Sequence, residues 1–253
     1  MKISRKLSLN LKRNIDTEVW QSLGEQDADW AVESRPERKH GGWEGHEDEF
    51  YETGRLRVAQ ALSLVPDVGR EKAIDWGSGT GRLSFTLAQE FERVTCVDIS
   101  TSMQSTLAER AEERGIANLD LRLVWDFVGE ADHDFGLSLI TMQHFPDRET
   151  VRSAIEAMVQ SLKPGGQMVI EIPASAHTLR YRVQPRLRLY RALRLLGFSP
   201  KSLHARGLSG IKMLCIPTEW VEDALESAGA PVTKVTDYRG TSHQFVWYVA
   251  RKS

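Results

Sequence analysis

One run constrains the chain more than any other: Ala73-Ile74-Asp75-Trp76-Gly77-Ser78-Gly79-Thr80-Gly81-Arg82, followed by the helical stretch Leu83 to Glu90. A strand that breaks into alternating glycines and then enters a helix exposes its backbone, because glycine tolerates positive φ and has no Cβ to hold a ligand off. The run therefore reads as a ligand platform at the end of a strand. Around it, short apolar runs alternate with helical stretches: Ala73 to Trp76, Arg93 to Val97, Leu119 to Val124, Leu137 to Thr141 and Gln167 to Ile172. Such alternation predicts βαβ units around a parallel sheet. The helical Thr218 to Ser227 precedes two further strands, Val232 to Tyr238 and Gln244 to Arg251, close enough to pair antiparallel.

Spacing narrows the ligand. The dinucleotide fingerprint G-x-G-x-x-G needs its third glycine where Arg82 stands, and the chain has G-x-G-x-G instead. The next strand ends in Asp98, whose carboxylate can accept hydrogen bonds from both hydroxyls of a ribose, and Ser100 then suits a helix N-cap. The strand after that is followed by Asp126, an acceptor suited to an adenine amine, with apolar Phe127 beside it. Each acid alone reads as a solvated loop residue. A glycine loop and two acids at three consecutive strand ends fall where open α/β sheets bind ligands.

These residues resemble the class I S-adenosylmethionine-dependent methyltransferase family. Asp75 to Gly81 looks like its first motif, Asp98 like its ribose-binding acid, and Ser161 to Ile170, with Lys163-Pro164-Gly165-Gly166, like its turn before the fifth strand. The resemblance implies an α/β, Rossmann-like seven-stranded sheet and S-adenosylmethionine as cofactor. It implies a cofactor site of Asp75, Gly77, Gly79, Gly81, Asp98, Ile99, Met103, Asp126, Phe127 and Met142. Where many members have Phe-Asp-Leu, this chain has Phe135-Gly136-Leu137, the acid being displaced to Asp134. Arg55 stands as a candidate for the cofactor carboxylate or for a surface ion pair.

Methyl transfer from a sulfonium is an in-line displacement that depends chiefly on alignment and exclusion of water. For a hydroxyl acceptor a base helps, and His144, in the loop after the fourth strand, is the candidate catalytic residue; its alternative role is to bond a loop carbonyl. The same loop lacks the Asp/Asn-Pro-Pro-aromatic run that amino-methylating nucleic-acid enzymes share, and the Pro-Cys of cytosine-C5 enzymes is also missing. The expected acceptor is a small molecule, with anionic and lipid-like chemistry both open, and no nucleic acid. His177, His204 and His243 are too scattered to argue a metal site. Two rival readings stay open, a nicotinamide-dependent oxidoreductase and a catalytically silent cofactor-binding or membrane-associated partner.

Residues 1 to 67, polar and rich in tryptophan, read as an N-terminal helical cap with helices at Asp16 to Leu23 and Glu47 to Val65, and 68 to 253 as the methyltransferase domain. Its 174 to 218 segment carries Arg180, Arg182, Arg186, Arg188, Arg191, Arg194, Lys201, Arg206 and Lys212, no acid, and interleaved leucines. It reads as a basic helical insertion serving as a lid, an anion site or a membrane contact. Overall net charge is only -2, so no global polyanion affinity is expected. Met1 to Arg13 is basic but not followed by an apolar run, and with no transmembrane stretch a cytoplasmic location, with peripheral membrane contact open, is the expectation. Cys96 and Cys215 read as buried thiols.

Overall fold

The computed structural model describes residues 15–253; the basic Met1 to Arg13 segment lies outside them. Helices α1 (Ile15–Gln26), α2 (Ala28–Val32) and α3 (Glu47–Ser63) precede the sheet. Strand β1 (Lys72–Trp76), helix α4 (Ser84–Glu90), β2 (Arg93–Asp98), α5 (Thr101–Glu113), β3 (Leu119–Leu123), β4 (His133–Ser138), α6 (Arg148–Ser161) and β5 (Leu162–Ala176) follow. Three short helices, α7 (Leu179–Val183), α8 (Pro185–Leu195) and α9 (Pro200–Ala205), fill the basic segment before α10 (Thr218–Ser227), β6 (Val232–Arg239) and β7 (His243–Arg251).

The seven strands form one sheet in the order β3-β2-β1-β4-β5-β7-β6. The first five are parallel, and β7 runs antiparallel to both β5 and β6. Strand order reverses between β1 and β4, so the loops leaving these two strands diverge and open a crevice at their carboxyl ends. Both faces are covered. Val151, Ile155 and Met158 of α6 and Val221 and Leu225 of α10 pack on one; Val58 and Leu62 of α3, Leu87 of α4 and Leu107 of α5 pack on the other. Strand β7 serves both, Val246, Tyr248 and Ala250 facing one layer and Trp247 and Val249 the other, as the two-residue period of a strand requires.

Helix starts are set by side chains. Ser100 accepts from the Met103 amide to open α5, and Asp147 accepts from the Thr150 amide at 2.8 Å to open α6. The buried Glu171 of β5 is satisfied by Arg57 of α3, the Tyr238 hydroxyl and the Trp247 indole N–H at 2.9 Å, which ties α3 to the sheet.

Two expectations need correction, and a third residue gains a role. The fourth strand runs from His133 to Ser138 rather than from Leu137 to Thr141, because Ile140 takes φ 58°, a left-handed conformation no strand accommodates. Cys96 is buried, but Cys215 is only partly so, because the segment carrying it crosses the surface between α9 and α10. The displaced acid, Asp134, is a packing device: its buried carboxylate accepts from the amides of Glu71 and Lys72 at 3.0 and 2.9 Å and pairs with Lys163. No described helix is long and apolar enough to cross a membrane.

Candidate active site

The main cleft opens at the carboxyl ends of β1, β2 and β4 and encloses about 1020 Å³ of empty space, counting its open mouth. Its floor is the glycine loop. Gly77 sits at φ 86°, and a Cβ there would come within 2.2 Å of Thr141 across the crevice, so this position requires glycine both for conformation and for clearance. The loop is then pinned from β2. Asp98 Oδ2 accepts from the Gly79 amide at 2.9 Å and Oδ1 from the Ser100 amide at 2.8 Å. Burial raises the Asp98 pKa above the ordinary carboxylate value, although backbone hydrogen bonds oppose this.

The walls are apolar. Ile99, Met103, Val97 and Val124 line the β2 side, Leu139, Ile140 and Thr141 the β4 side, and Trp20, Ala31 and Val32 reach over from α1 and α2. The left-handed Ile140 lies directly on this lining, and a β-branched residue held there stores roughly 1–3 kcal/mol of strain. Charged side chains fasten the cover. Asp29, which opens α2, makes a two-pronged pair with Arg110 at 2.6 and 2.9 Å, and Glu33 pairs with the buried Arg82 at 3.3 Å. Gln21 Oε1 accepts from the Thr101 hydroxyl at 2.9 Å, while the Ser102 hydroxyl donates to the Gln21 carbonyl.

His144 also lines the cleft, packed against the Trp20 ring at 5.2 Å between centroids. Its Nδ1 lies 2.6 Å from the Lys212 carbonyl oxygen, which can only accept, so Nδ1 carries the proton and Nε2 carries the lone pair. The Gln143 amide nitrogen, 3.4 Å from Nε2, fits that tautomer. Burial pushes the His144 pKa down to about 4, partly offset by the Lys212 carbonyl, so the ring is neutral at physiological pH.

Of the residues expected at the cofactor site, Gly77, Gly79, Asp98, Ile99 and Met103 line the cleft. The others do not. Asp75 lies buried beneath it, accepting from the Ser84 hydroxyl at 2.6 Å, and Gly81 packs against Phe85 and Leu107. Phe127 is in the core, edge-on to Trp76 at 5.3 Å, and Met142 is fully buried in the turn before α6. Asp126 is exposed and borders a separate depression with Thr101, Gln104 and Arg122, because the turn after β3 directs it to solvent. Arg55 pairs with Glu52 one helical turn away, at the surface. No residue of 174 to 218 lines the cleft either: Leu187, Tyr190 and Leu203 pack on Val19 and Leu23 of α1, so the insertion backs the cover, and Lys212 reaches two cleft residues, His144 through its carbonyl and Pro146 through its ammonium group.

Sequence reasoning missed Thr17, Trp20, Ala31, Val32, Thr141 and Arg82. Arg82, directly after the glycine loop, is buried, and nothing in its sequence position signals that.

An open parallel sheet with its cleft at the strand-order reversal, a glycine loop after β1 and an acid ending β2 defines the class of nucleoside-binding α/β folds. Within that class, residues 73–166 match the family described as methyltransferase domain. It is 25% identical over 141 residues to trans-aconitate 2-methyltransferase of Deinococcus radiodurans, covering 54% of this chain and 52% of that one. It is 30% identical over 135 residues to ubiquinone biosynthesis O-methyltransferase of Cronobacter sakazakii, covering 50% and 53%. The chain thus spans about half the length of the curated relatives it matches. Among solved structures, magnesium protoporphyrin IX methyltransferase from Synechocystis PCC 6803 with bound SAH superposes with a TM-score of 0.61 at 18% identity, covering 94% of this chain and 99% of that one. At that identity the likeness is one of fold.

Asp75 supplies a stability prediction. Burial raises its pKa from 3.8 to about 6, so between these values the folded state holds a proton that the unfolded state has released. Stability from this group is therefore full below pH 3.8 and falls as pH rises to 6. Urea denaturation of Asp75→Asn against wild type should show the variant gaining about 2–3 kcal/mol relative to wild type between pH 4 and pH 7. A constant difference across that range would contradict the buried-carboxylate account.

Proposed function

We propose that the protein transfers a methyl group from S-adenosylmethionine to a small acceptor bound beside His144. The observation that carries this reading is the cleft itself: glycine loop, Asp98 and apolar walls in one crevice. The chemistry of the lining suits the cofactor. Asp98 would take the ribose hydroxyls, and Ile99, Met103 and Val124 would flank the adenine. Ser78 Oγ and Arg82 Nε, both on lining residues, have no protein partner and would meet the amino-acid end. Asp126 stays outside this assignment.

When bound, S-adenosylmethionine supplies an electrophilic methyl on a sulfonium. The chain's own residues align and desolvate: Trp20, Val32 and Leu139 exclude water, and His144 Nε2 accepts a hydrogen bond from an acceptor hydroxyl and so orients its oxygen. A ring that protonates only near pH 4 is a weak base, so orientation is its larger share.

The relatives' names speak of trans-aconitate, ubiquinone biosynthesis and magnesium protoporphyrin IX. For this chain we favour an anionic or lipid-like acceptor, met with the help of the 174 to 218 segment. Its arginines include the exposed Arg180, Arg186 and Arg188, and Leu195 and Leu196 of the same segment are 89% and 75% exposed. Cations among exposed leucines suit a negatively charged lipid surface or an amphiphilic acid.

Three outcomes test these assignments. Calorimetry should detect S-adenosylmethionine binding, and Asp98→Ala should weaken it by about 1–3 kcal/mol; binding of a nicotinamide dinucleotide instead would sink the proposal. For His144, the part of the activity that depends on its ring should be lost as pH falls through about 4, where the ring gains its proton. His144→Ala should reduce turnover by about 10²-fold with cofactor affinity unchanged. Unaltered turnover would return the residue to a purely structural role. For the insertion, the triple variant Arg180→Gln, Arg186→Gln, Arg188→Gln should co-sediment less with anionic liposomes at low salt. Wild type should itself detach as screening shortens from about 10 Å at 0.1 M to about 3 Å at 1 M. Equal sedimentation of variant and wild type would remove the anionic-surface reading.

A further inference from the structure

Away from the cleft, three residues far apart in the chain converge on one point. Asp27 precedes α2, His40 lies in the loop before α3, and His204 is on α9 of the insertion. Each can offer one ligand atom, and these atoms lie within 4.8 Å of one another. Asp27 and His204 are 7% and 5% exposed, while His40 is at the surface. Neither ring nitrogen of His204 has a hydrogen-bond partner. Burying an imidazole with both nitrogens unpaired is costly unless something else occupies the site.

The local geometry favours an ion over a proton. His204 Nε2 stands 3.7 Å from Asp27 Oδ2, beyond a hydrogen bond and near the separation of about 3.4 Å that two ligands keep around a tetrahedral zinc ion. The Asp27 carboxylate is fixed in place by the amides of His40 and Gly41, at 2.6 and 3.1 Å, and retains lone pairs for a ligand. His40 holds φ 61°, in the left-handed region, and its ring stands edge-on to that of His204 at 5.5 Å. Being exposed, its ring is free to turn towards the other two ligands. The nearby Lys39 ammonium opposes a cation, and it is drawn aside over the Trp30 ring at 4.8 Å.

We infer that Asp27, His40 and His204 form a site for a divalent transition-metal ion, zinc in particular, with water completing the coordination. Two imidazoles and one carboxylate are a zinc-type donor set. The ion would clamp the loop leading into α2, whose Ala31 and Val32 line the cleft, to the basic insertion. This inference is independent of the methyl-transfer reading, since the site touches none of the cofactor residues.

The test uses the chelator-treated full chain. Zinc competition against a chromogenic chelator should give one equivalent bound with a micromolar or tighter dissociation constant, together with a raised melting temperature. Cobalt(II) in the same site should show visible d–d absorption and paramagnetically shifted imidazole N–H resonances, a signature of histidine ligation. His40→Gly, at a surface position whose left-handed φ suits glycine, should leave the metal-free melting temperature in place and weaken binding by more than about 10-fold, and His204→Gln should abolish it. Absence of stoichiometric zinc or cobalt binding would overturn the inference. So would binding that both variants retain, or cobalt spectra without shifted imidazole signals.

Discussion

The Asp98 carboxylate holds together the two loops on which the cleft depends. A glycine loop is by nature the most mobile segment of such a sheet, since glycine loses more conformational freedom on ordering than any other residue. Here the loop leaving β1 is tied to the turn leaving β2 by hydrogen bonds from Gly79 and Ser100 to one carboxylate. The amides of Gly77 and Ser78 both donate to the Val97 carbonyl, at 2.7 and 3.1 Å, which fastens the same loop to the same strand. Removing the carboxylate would therefore loosen the floor. Because Ser100 also caps α5, the constraint extends to Met103, one turn into that helix and on the cleft wall.

The cover over this floor is fastened differently. Val19 and Leu23 of α1 pack with Met103, Tyr190 and Leu203, an apolar contact shared between the helix under the cleft and the insertion behind it. Around that contact, Asp29 with Arg110 and Glu33 with Arg82 are ion pairs that are largely buried, where breaking one partner costs far more than at the surface. Ligand entry must pass beside this cover or displace it. Polar fastenings suit such a role, since they can be exchanged for water as the cover lifts, whereas a wholly apolar seam would leave an exposed patch.

The sheet was readable because its signals are local and periodic: apolar runs of strand length, glycines at the first turn, an acid at the second, and Lys-Pro-Gly-Gly before β5. The cleft lining was readable wherever it stays near a strand end, as with Gly77, Gly79, Asp98 and Ile99. It failed one turn beyond. Asp126 and Phe127 follow β3 in a turn whose direction no periodicity encodes, so one faces solvent and the other the core. The left-handed Ile140 was invisible for the opposite reason, a β-branched residue being the one least expected there. The insertion's charge was plain, but its docking on α1 depends on Leu187, Tyr190 and Leu203, whose spacing marks a buried face without naming what covers it. His204 could not be joined to Asp27 and His40 from the sequence at all, because the segments that bring them together are far apart in the chain.

The electrostatics of the cleft fit a positively charged donor. An imidazole with an ordinary pKa near 6.5 would be partly protonated just below neutrality, and its charge would repel a sulfonium in a site shielded from water. Burial against Trp20 removes that problem, since the desolvation that lowers the His144 pKa to about 4 keeps the ring neutral. The Lys212 carbonyl then sets its tautomer, leaving the Nε2 lone pair as the ring's only acceptor. The charges nearest the floor are those of Asp98 and, beneath it, Asp75, with the Arg82 guanidinium already paired to Glu33. A cleft lined in this way attracts a cation without a metal-like concentration of charge. The Lys212 carbonyl that orients the ring belongs to the insertion, so that segment shapes the cleft without lining it.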